Sequence, residues 1–327
     1  MKRYFRVILP WIFVLIYVLL PGCKAPAAPV SLTTAIVTPT YTPAPTPVPF
    51  TERCIEAFKS YESAAGVCTV YDVQEDLYLY TKQEVSTRIF PASTTKLFTI
   101  WVALQYLSPE EYATVGDELN LVAEDASVAD LKKGYVLPVS TLIEGMLRPS
   151  GNDAAYVIAC HAGRRIAGNS YLDAYTAVKT FMNEVNRQAE LNGLSGTHFT
   201  TPDGYHHPEH YTTVEDLIKI AKLALNTPVI MQYTQIPEAT IQFSDGEQTT
   251  WKNTNWLVCQ DKPYYLKDAI GLKTGYTEKA GYIMLAAIRN PHTESVVIIL
   301  VAQCPNIESR FAETISLYNV LKSVEFS

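Results

Sequence analysis

Apolar residues follow three different rhythms along the chain, and each predicts a different kind of structure. Residues 7–20 form an apolar run broken only by Pro10, which marks the core of a leader rather than a folded element. Over residues 24–49 the rhythm disappears: Pro, Ala and Thr dominate, with Pro at 39, 43, 45, 47 and 49. Such a stretch is an extended, semi-rigid spacer that cannot build a core. From about residue 50 apolar segments alternate with turns. Residues 66–73 and 77–82, rich in Val, Tyr and Leu and separated by Gln-Glu-Asp, predict a hairpin. Residues 93–107 carry Leu97, Ile100, Trp101 and Leu104 at helical spacing before Pro109, a largely buried helix with Ser93 at its start. Shorter helical stretches follow at 138–147, 152–160, 171–191 and 213–225. Strands are expected at 269–273, 281–288 and 296–302, the last two joined through Asn290-Pro291-His292, and an amphipathic helix at 309–324. Strands at both chain ends with helices between them predict an α+β domain, with one antiparallel sheet built from both ends and the helices packed on and beside it.

Composition narrows this picture. The 327 residues, 48% hydrophobic, can bury a sizeable core, and there are no repeats, heptads or blocks of like charge. The net charge of −7 grows more negative without Lys2, Arg3 and Arg6, which argues against nucleic acid as a partner. Those three cations precede the apolar run and complete a secretory signal over residues 1–22. Leu20-Pro21-Gly22-Cys23 resembles the lipobox of bacterial lipoproteins, in which Cys23 is lipidated and becomes the mature N-terminus. On that reading residues 23–49 are a lipidated cysteine and linker, and residues 50–327 the folded domain. The alternatives are a transmembrane anchor or a signal cleaved elsewhere; all of them export the domain. At roughly 3 Å per residue the spacer would hold that domain several tens of Å from a membrane. The remaining cysteines, Cys54, Cys68, Cys160, Cys259 and Cys304, show no spacing suited to zinc; disulfides and buried free thiols both remain open. His206, His207 and His210 lack accompanying metal ligands and read as a polar loop.

Three short motifs carry candidate chemistry. In Pro91-Ala92-Ser93-Thr94-Thr95-Lys96, Ser93 and Lys96 are three apart at a helix start and share a face. An amine there can take the hydroxyl proton if it is neutral, which burial and a second nearby cation would favour. In Pro149-Ser150-Gly151-Asn152, Ser150 offers a hydroxyl for proton relay, and Asn152 an amide for Lys96 and for a peptide backbone. In Gly271-Leu272-Lys273-Thr274-Gly275-Tyr276, Lys273 and Thr274 offer charge and a hydroxyl for a carboxylate. Gly275 leaves room for an extended peptide along the strand edge. Alone, each motif is commonplace. In this order, on a helix, a loop and a late strand, they match the set shared by β-lactamases and penicillin-binding proteins.

With these motifs the sequence resembles the D-alanyl-D-alanine carboxypeptidase family of low-molecular-weight penicillin-binding proteins over nearly all of residues 60–325. The likeness extends to Thr197-His198-Phe199, Pro202-Asp203-Gly204, residues 210–217, Asn253-Thr254-Asn255 and residues 277–281. It implies a β-lactamase/D,D-peptidase-like fold and an exported enzyme that trims the terminal D-Ala from peptidoglycan stem peptides. It also implies β-lactam antibiotics as covalent inhibitors and no cofactor. By position, Ser93 would be the acylated nucleophile and Lys96 its base, with Ser150 and Asn152 in the proton relay. Lys273, Thr274 and, in the family's frequent arginine position, Arg310 would bind the terminal carboxylate. The backbone N–H groups of Ser93 and Tyr276 would form the oxyanion hole. Arg310 can equally be a surface residue of the last helix. Two departures stand out: Thr201-Pro202-Asp203-Gly204-Tyr205 replaces the frequent Asn-Pro-x-Gly-Leu, and the chain stops where many members add a β-rich domain. Rival readings are a β-lactamase, which lacks here the E-x-x-L-N loop of class A, a D,D-endopeptidase, and a non-catalytic penicillin sensor or peptidoglycan-binding lipoprotein.

Overall fold

Long apolar strands buried on both faces need a layer of structure on each side, and this chain supplies both layers. A computed structural model describes residues 48–293 and 295–325; the leader, Cys23 and the spacer as far as residue 47 lie outside the described residues. The first elements are α1 (Phe50–Phe58), β1 (Val67–Asp72), β2 (Leu77–Thr81) and β3 (Arg88–Ile89). A 3-10 turn, Ala92–Thr94, leads into α2 (Thr95–Ala103), followed by β4 (Tyr112–Thr114), β5 (Val136–Pro138), α3 (Val139–Leu147), α4 (Asn152–Ala167) and α5 (Ala174–Leu191). Then come β6 (Thr212–Thr213), α6 (Val214–Leu225), α7 (Pro228–Thr234) and the hairpin β7 (Glu238–Gln242) and β8 (Gln248–Lys252). The chain closes with β9 (Ala269–Thr277), β10 (Gly281–Arg289), β11 (Val296–Cys304) and α8 (Ile307–Ser323).

The main sheet has the order β2-β1-β11-β10-β9, antiparallel throughout, so that the first and last parts of the described chain meet between β1 and β11. This is the predicted α+β arrangement. Its strands read as continuous apolar runs because alternate residues enter different cores. Ile283, Leu285, Ala287, Ile298 and Leu300 join the core shared with the helices α2 to α6. Met284, Ala286, Ile288, Ile299 and Val301 face the core under α1 and α8, with Cys54, Phe58, Phe311 and Leu317. All five described cysteines are buried free thiols, which settles the choice between disulfides and thiols. Among the described residues no helix is long and apolar enough to cross a membrane.

The expected hairpin, helices and strands are present with shifted ends. The strand expected at 269–273 extends to Thr277, and the helix expected at 152–160 continues to Ala167, where Gly168 takes a left-handed φ of 63° and closes it. The helix expected over 93–107 starts as a 3-10 turn and ends its α part at Ala103. Ala92 holds a φ of 47°, and Gly204 packs so close to it that a Cβ on Gly204 would lie 1.9 Å from the Ala92 carbonyl oxygen. The pattern did not predict α1, α7 or the β7–β8 hairpin.

Candidate active site

Ser93 lies in the 3-10 turn and Lys96 in the first turn of α2, whose apolar residues Leu97, Phe98 and Ile100 are buried. The Lys96 side chain is sealed from water, and its Nζ makes three contacts: Ser93 Oγ at 2.9 Å, Asn152 Oδ1 at 2.7 Å and the Asp203 carbonyl oxygen at 2.8 Å. Burial pulls its pKa down from 10.5 to about 8, against the opposing pull of Asp203 and then Asp153. Desolvation therefore does the work expected of burial plus a second cation. Two of the three partners are amide oxygens that can only accept, so a neutral amine gives its two N–H groups to them. Its lone pair is then left facing the Ser93 hydroxyl.

The second motif bends sharply before α4. Ser150 has a φ of 64°, a conformation that non-glycine residues seldom adopt and that persists where the surroundings enforce it. Here they do: Ser127 Oγ donates to the Ser150 carbonyl at 2.8 Å and Asn152 N–H donates to the Ser127 carbonyl at 2.8 Å. The buried Asp153 carboxylate ties the same loop to the helix start by accepting from the N–H groups of Ala129, Leu131 and Ala154. Burial raises the Asp153 pKa, although those N–H bonds oppose the rise.

The third motif lies on the edge strand β9. A Cβ at Gly275 would meet Ala92 Cβ at 3.1 Å and Ser93 N at 3.3 Å, so the strand edge runs directly alongside the nucleophile turn. Thr274 Oγ1 is 2.7 Å from Thr254 Oγ1. Lys273 is buried, and its Nζ donates to the Thr274 carbonyl at 3.0 Å; its pKa is pushed well below 10.5 by burial, then by Lys96 and Arg310. Arg310 is no surface residue: only 4% exposed, it donates to the Gly275 carbonyl at 3.4 Å and lies over the Phe311 ring. Tyr276 is half exposed and stacks on Tyr282.

One groove of about 720 Å³ is lined by Ser93, Ser150, Asn152, Thr274, Gly275, Tyr276 and Arg310. Lys96 and Lys273 sit behind its walls. Sequence reasoning missed the loop that supports this arrangement. His210, read as part of a polar loop, is 2% exposed and clasps two segments. Its Nδ1 accepts from the Thr200 N–H at 3.1 Å, so Nε2 carries the hydrogen and donates to Thr95 Oγ1 at 2.9 Å. Burial, then the neighbouring histidines and Lys96, holds its pKa down near 3, which keeps the ring neutral. Thr99 Oγ1 adds a bond to the Pro202 carbonyl at 2.7 Å, and the Tyr205 hydroxyl reaches across to Asp125 at 2.8 Å. Among the described residues no group of three or more His, Cys, Asp or Glu could hold a metal.

A lysine-paired serine at the head of a buried helix, beside the edge strand of a five-stranded antiparallel sheet, defines the class of D,D-peptidase-like serine hydrolases. The family profile of D-alanyl-D-alanine carboxypeptidases matches residues 56–303, and the chain belongs to that family of serine peptidases. It is 32% identical over 241 residues to the D-alanyl-D-alanine carboxypeptidase of Streptomyces sp. strain K15, covering 71% of this chain and 79% of that protein. It is 25% identical to the carboxypeptidase DacF of Bacillus subtilis, covering 75% of this chain and 59% of that relative. Among solved structures, the Streptomyces K15 DD-transpeptidase superposes with a TM-score of 0.71 at 29% identity, covering 80% of this chain and 98% of the other. Penicillin-binding protein D2 from Listeria monocytogenes, in its cefotaxime-bound form, gives 0.63 at 27% identity, covering 81% and 99%.

Proposed function

We propose that this protein removes the terminal D-Ala from peptidoglycan stem peptides through an acyl-enzyme on Ser93. The observation that carries the reading is the Lys96 amine, buried, depressed to about 8 and 2.9 Å from Ser93 Oγ. Neutral Lys96 takes the hydroxyl proton as Ser93 Oγ attacks the penultimate D-Ala carbonyl. The backbone N–H groups of Ser93 and Tyr276 receive the developing oxyanion, a pair of fixed donors typically worth ~3 kcal/mol each. The Lys96 proton passes by way of the Ser150 hydroxyl to the leaving amine, and free D-Ala departs. Water then cleaves the ester and restores Ser93. Asn152 positions both Lys96 and the substrate backbone. Thr274 and Arg310 take the terminal carboxylate in the groove, and Lys273 braces the strand from behind the wall through its bond to the Thr274 carbonyl. A β-lactam mimics the scissile amide and acylates the same oxygen.

The test uses the full-length chain with a fluorescent penicillin and with a D-Ala-D-Ala peptide. Covalent labelling and D-Ala release are expected, and both vanish in Ser93→Ala; labelling that persists in the variant overturns the assignment. Acyl transfer is a second reading, favoured by the fold shared with a DD-transpeptidase; an added amine acceptor would then appear in the product in place of water. We also propose that Cys23 carries a lipid that tethers the enzyme outside the cytoplasmic membrane, in keeping with the sequence around it. Cys23→Ser should then move the protein from the membrane to the soluble fraction, and an unchanged distribution would refute the tether.

A further inference from the structure

An extended peptide held by its terminal carboxylate at Thr274 and Arg310, and paired antiparallel to β9, has only one direction to run upstream. It passes Tyr276 and Thr277 and arrives at the turn Glu278-Lys279-Ala280 between β9 and β10. There Lys279 lines the catalytic groove and also a second cleft of about 250 Å³. The cleft is walled by Phe90, Pro208, Tyr211 and Ala280, and Arg88 opens into it. Phe90 meets His206, a residue of the catalytic groove, edge to face at 4.8 Å, so this aromatic pair forms the partition between the two spaces.

The cleft contains two cations and one acid, Glu209. Arg88 is fixed in two ways: its backbone pairs with Thr213 between β3 and β6, and its guanidinium stacks 4.1 Å over the Tyr211 ring. It has no carboxylate partner among the described residues, and Lys279 has only Glu278, at 4.0 Å. An exposed guanidinium whose flat face is already occupied by an aromatic ring presents its N–H edge outward, a fork that matches a carboxylate.

Resting on the function proposed above, we infer that the Arg88–Lys279 cleft is a subsite for a free carboxylate in the upstream part of the stem peptide, so that longer acidic stems are preferred over a minimal D-Ala-D-Ala peptide. The experiment compares three substrates with the full-length chain. One is a neutral blocked tripeptide ending in D-Ala-D-Ala. The second is the same peptide extended at its N-terminus by a γ-linked glutamate with a free α-carboxylate, and the third is the α-amide of that extended peptide. The carboxylate form should exceed its amide in kcat/KM by about tenfold at low salt, as one charge-assisted contact allows, and the advantage should shrink as salt is added. Arg88→Ala should abolish the advantage and leave the blocked tripeptide and penicillin labelling unchanged, which also shows that the variant is folded. Lys279→Ala should reduce it. Equal rates for carboxylate and amide in the unaltered chain overturn the subsite, as does a loss in Arg88→Ala shared by all three substrates. A blocked tripeptide that releases no D-Ala would instead sink the parent reading.

Discussion

Two regions of this molecule are equally shut off from water and filled with opposite materials. The seam between the β9 edge and the helices buries Lys96, Lys273, Arg310, Asp153, Asp203 and His210. The face of the sheet under α1 and α8 buries Cys54, Cys68, Phe58, Ile299, Leu317 and Leu321. On the far face, burial itself is favourable, at about 25 cal/mol per Å² of apolar area. In the seam it is not: holding Lys96 down from 10.5 to about 8 means that its ammonium form is disfavoured by roughly 3 kcal/mol relative to water. The far face stabilises the fold, and its surplus offsets a seam whose groups are strained toward chemistry. Even the thiols fit this division. Burial pushes Cys54 and Cys304 up to about 11, so they behave as small apolar residues rather than nucleophiles.

The contrast is broken most forcefully by removing an amine. Lys96→Ala takes away the only base that touches Ser93 Oγ among the described residues, and penicillin acylation should fall roughly a thousandfold or more, since groups that act as a unit are not replaceable singly. The protein should nonetheless remain folded by circular dichroism, because a buried charge leaves together with the hydrogen bonds it made. Acylation at near-native rates would remove Lys96 from the mechanism. The far face should answer in the opposite sense. Leu317→Ala deletes a fully buried side chain from the core under α8 and should cost about 3 kcal/mol in urea unfolding. The rate of labelling per folded molecule should stay as it was. A large drop in that rate, with stability intact, would show that the two regions are not separate.

The sequence disclosed these regions unequally, for physical reasons. Continuous apolar runs mark the strands that both cores share, and the three motifs mark Ser93, Lys96, Ser150, Asn152 and Thr274, which the fold brings to one groove and its walls. What escaped notice was set by contacts distant in the chain. The 3-10 turn that carries Ser93 packs against Gly204, far along the sequence, so closely that a Cβ on Gly204 would lie 1.9 Å from the Ala92 carbonyl oxygen. His210 looked like a polar-loop histidine because neither Thr95 nor Thr200 is near it in sequence. Arg310 could be read as a surface residue because nothing local shows that Tyr282 and Phe311 cover it. The β7–β8 hairpin escaped because its strands are mostly polar or half exposed, with Trp251 the one buried residue in them. Its Asp245-Gly246 turn is the one local signal of the hairpin.

The finest test of the comparison changes one charge in the seam and nothing in its shape. Asp203 offers its carbonyl oxygen to Lys96, and its carboxylate accepts from the Tyr205 N–H at 3.0 Å, a bond that an amide oxygen can still accept. Asp203→Asn therefore keeps the loop and removes a negative charge that holds the Lys96 pKa up. Acylation needs the neutral amine, so in the unaltered enzyme the rate should climb with pH and level off above about 8. In the variant the ammonium loses a stabilising neighbour, its pKa drops further, and the rising limb shifts toward acid. At pH 6.5 the variant should label severalfold faster than the parent, while at pH 9 the two should agree. Stability carries the matching sign: a lysine depressed in the folded state penalises folding fully below pH 8, and that penalty fades as pH climbs from 8 toward 10.5. A limb that stays in place in Asp203→Asn, with rates lowered equally at every pH, would mean that this residue serves the site through the position of its backbone alone.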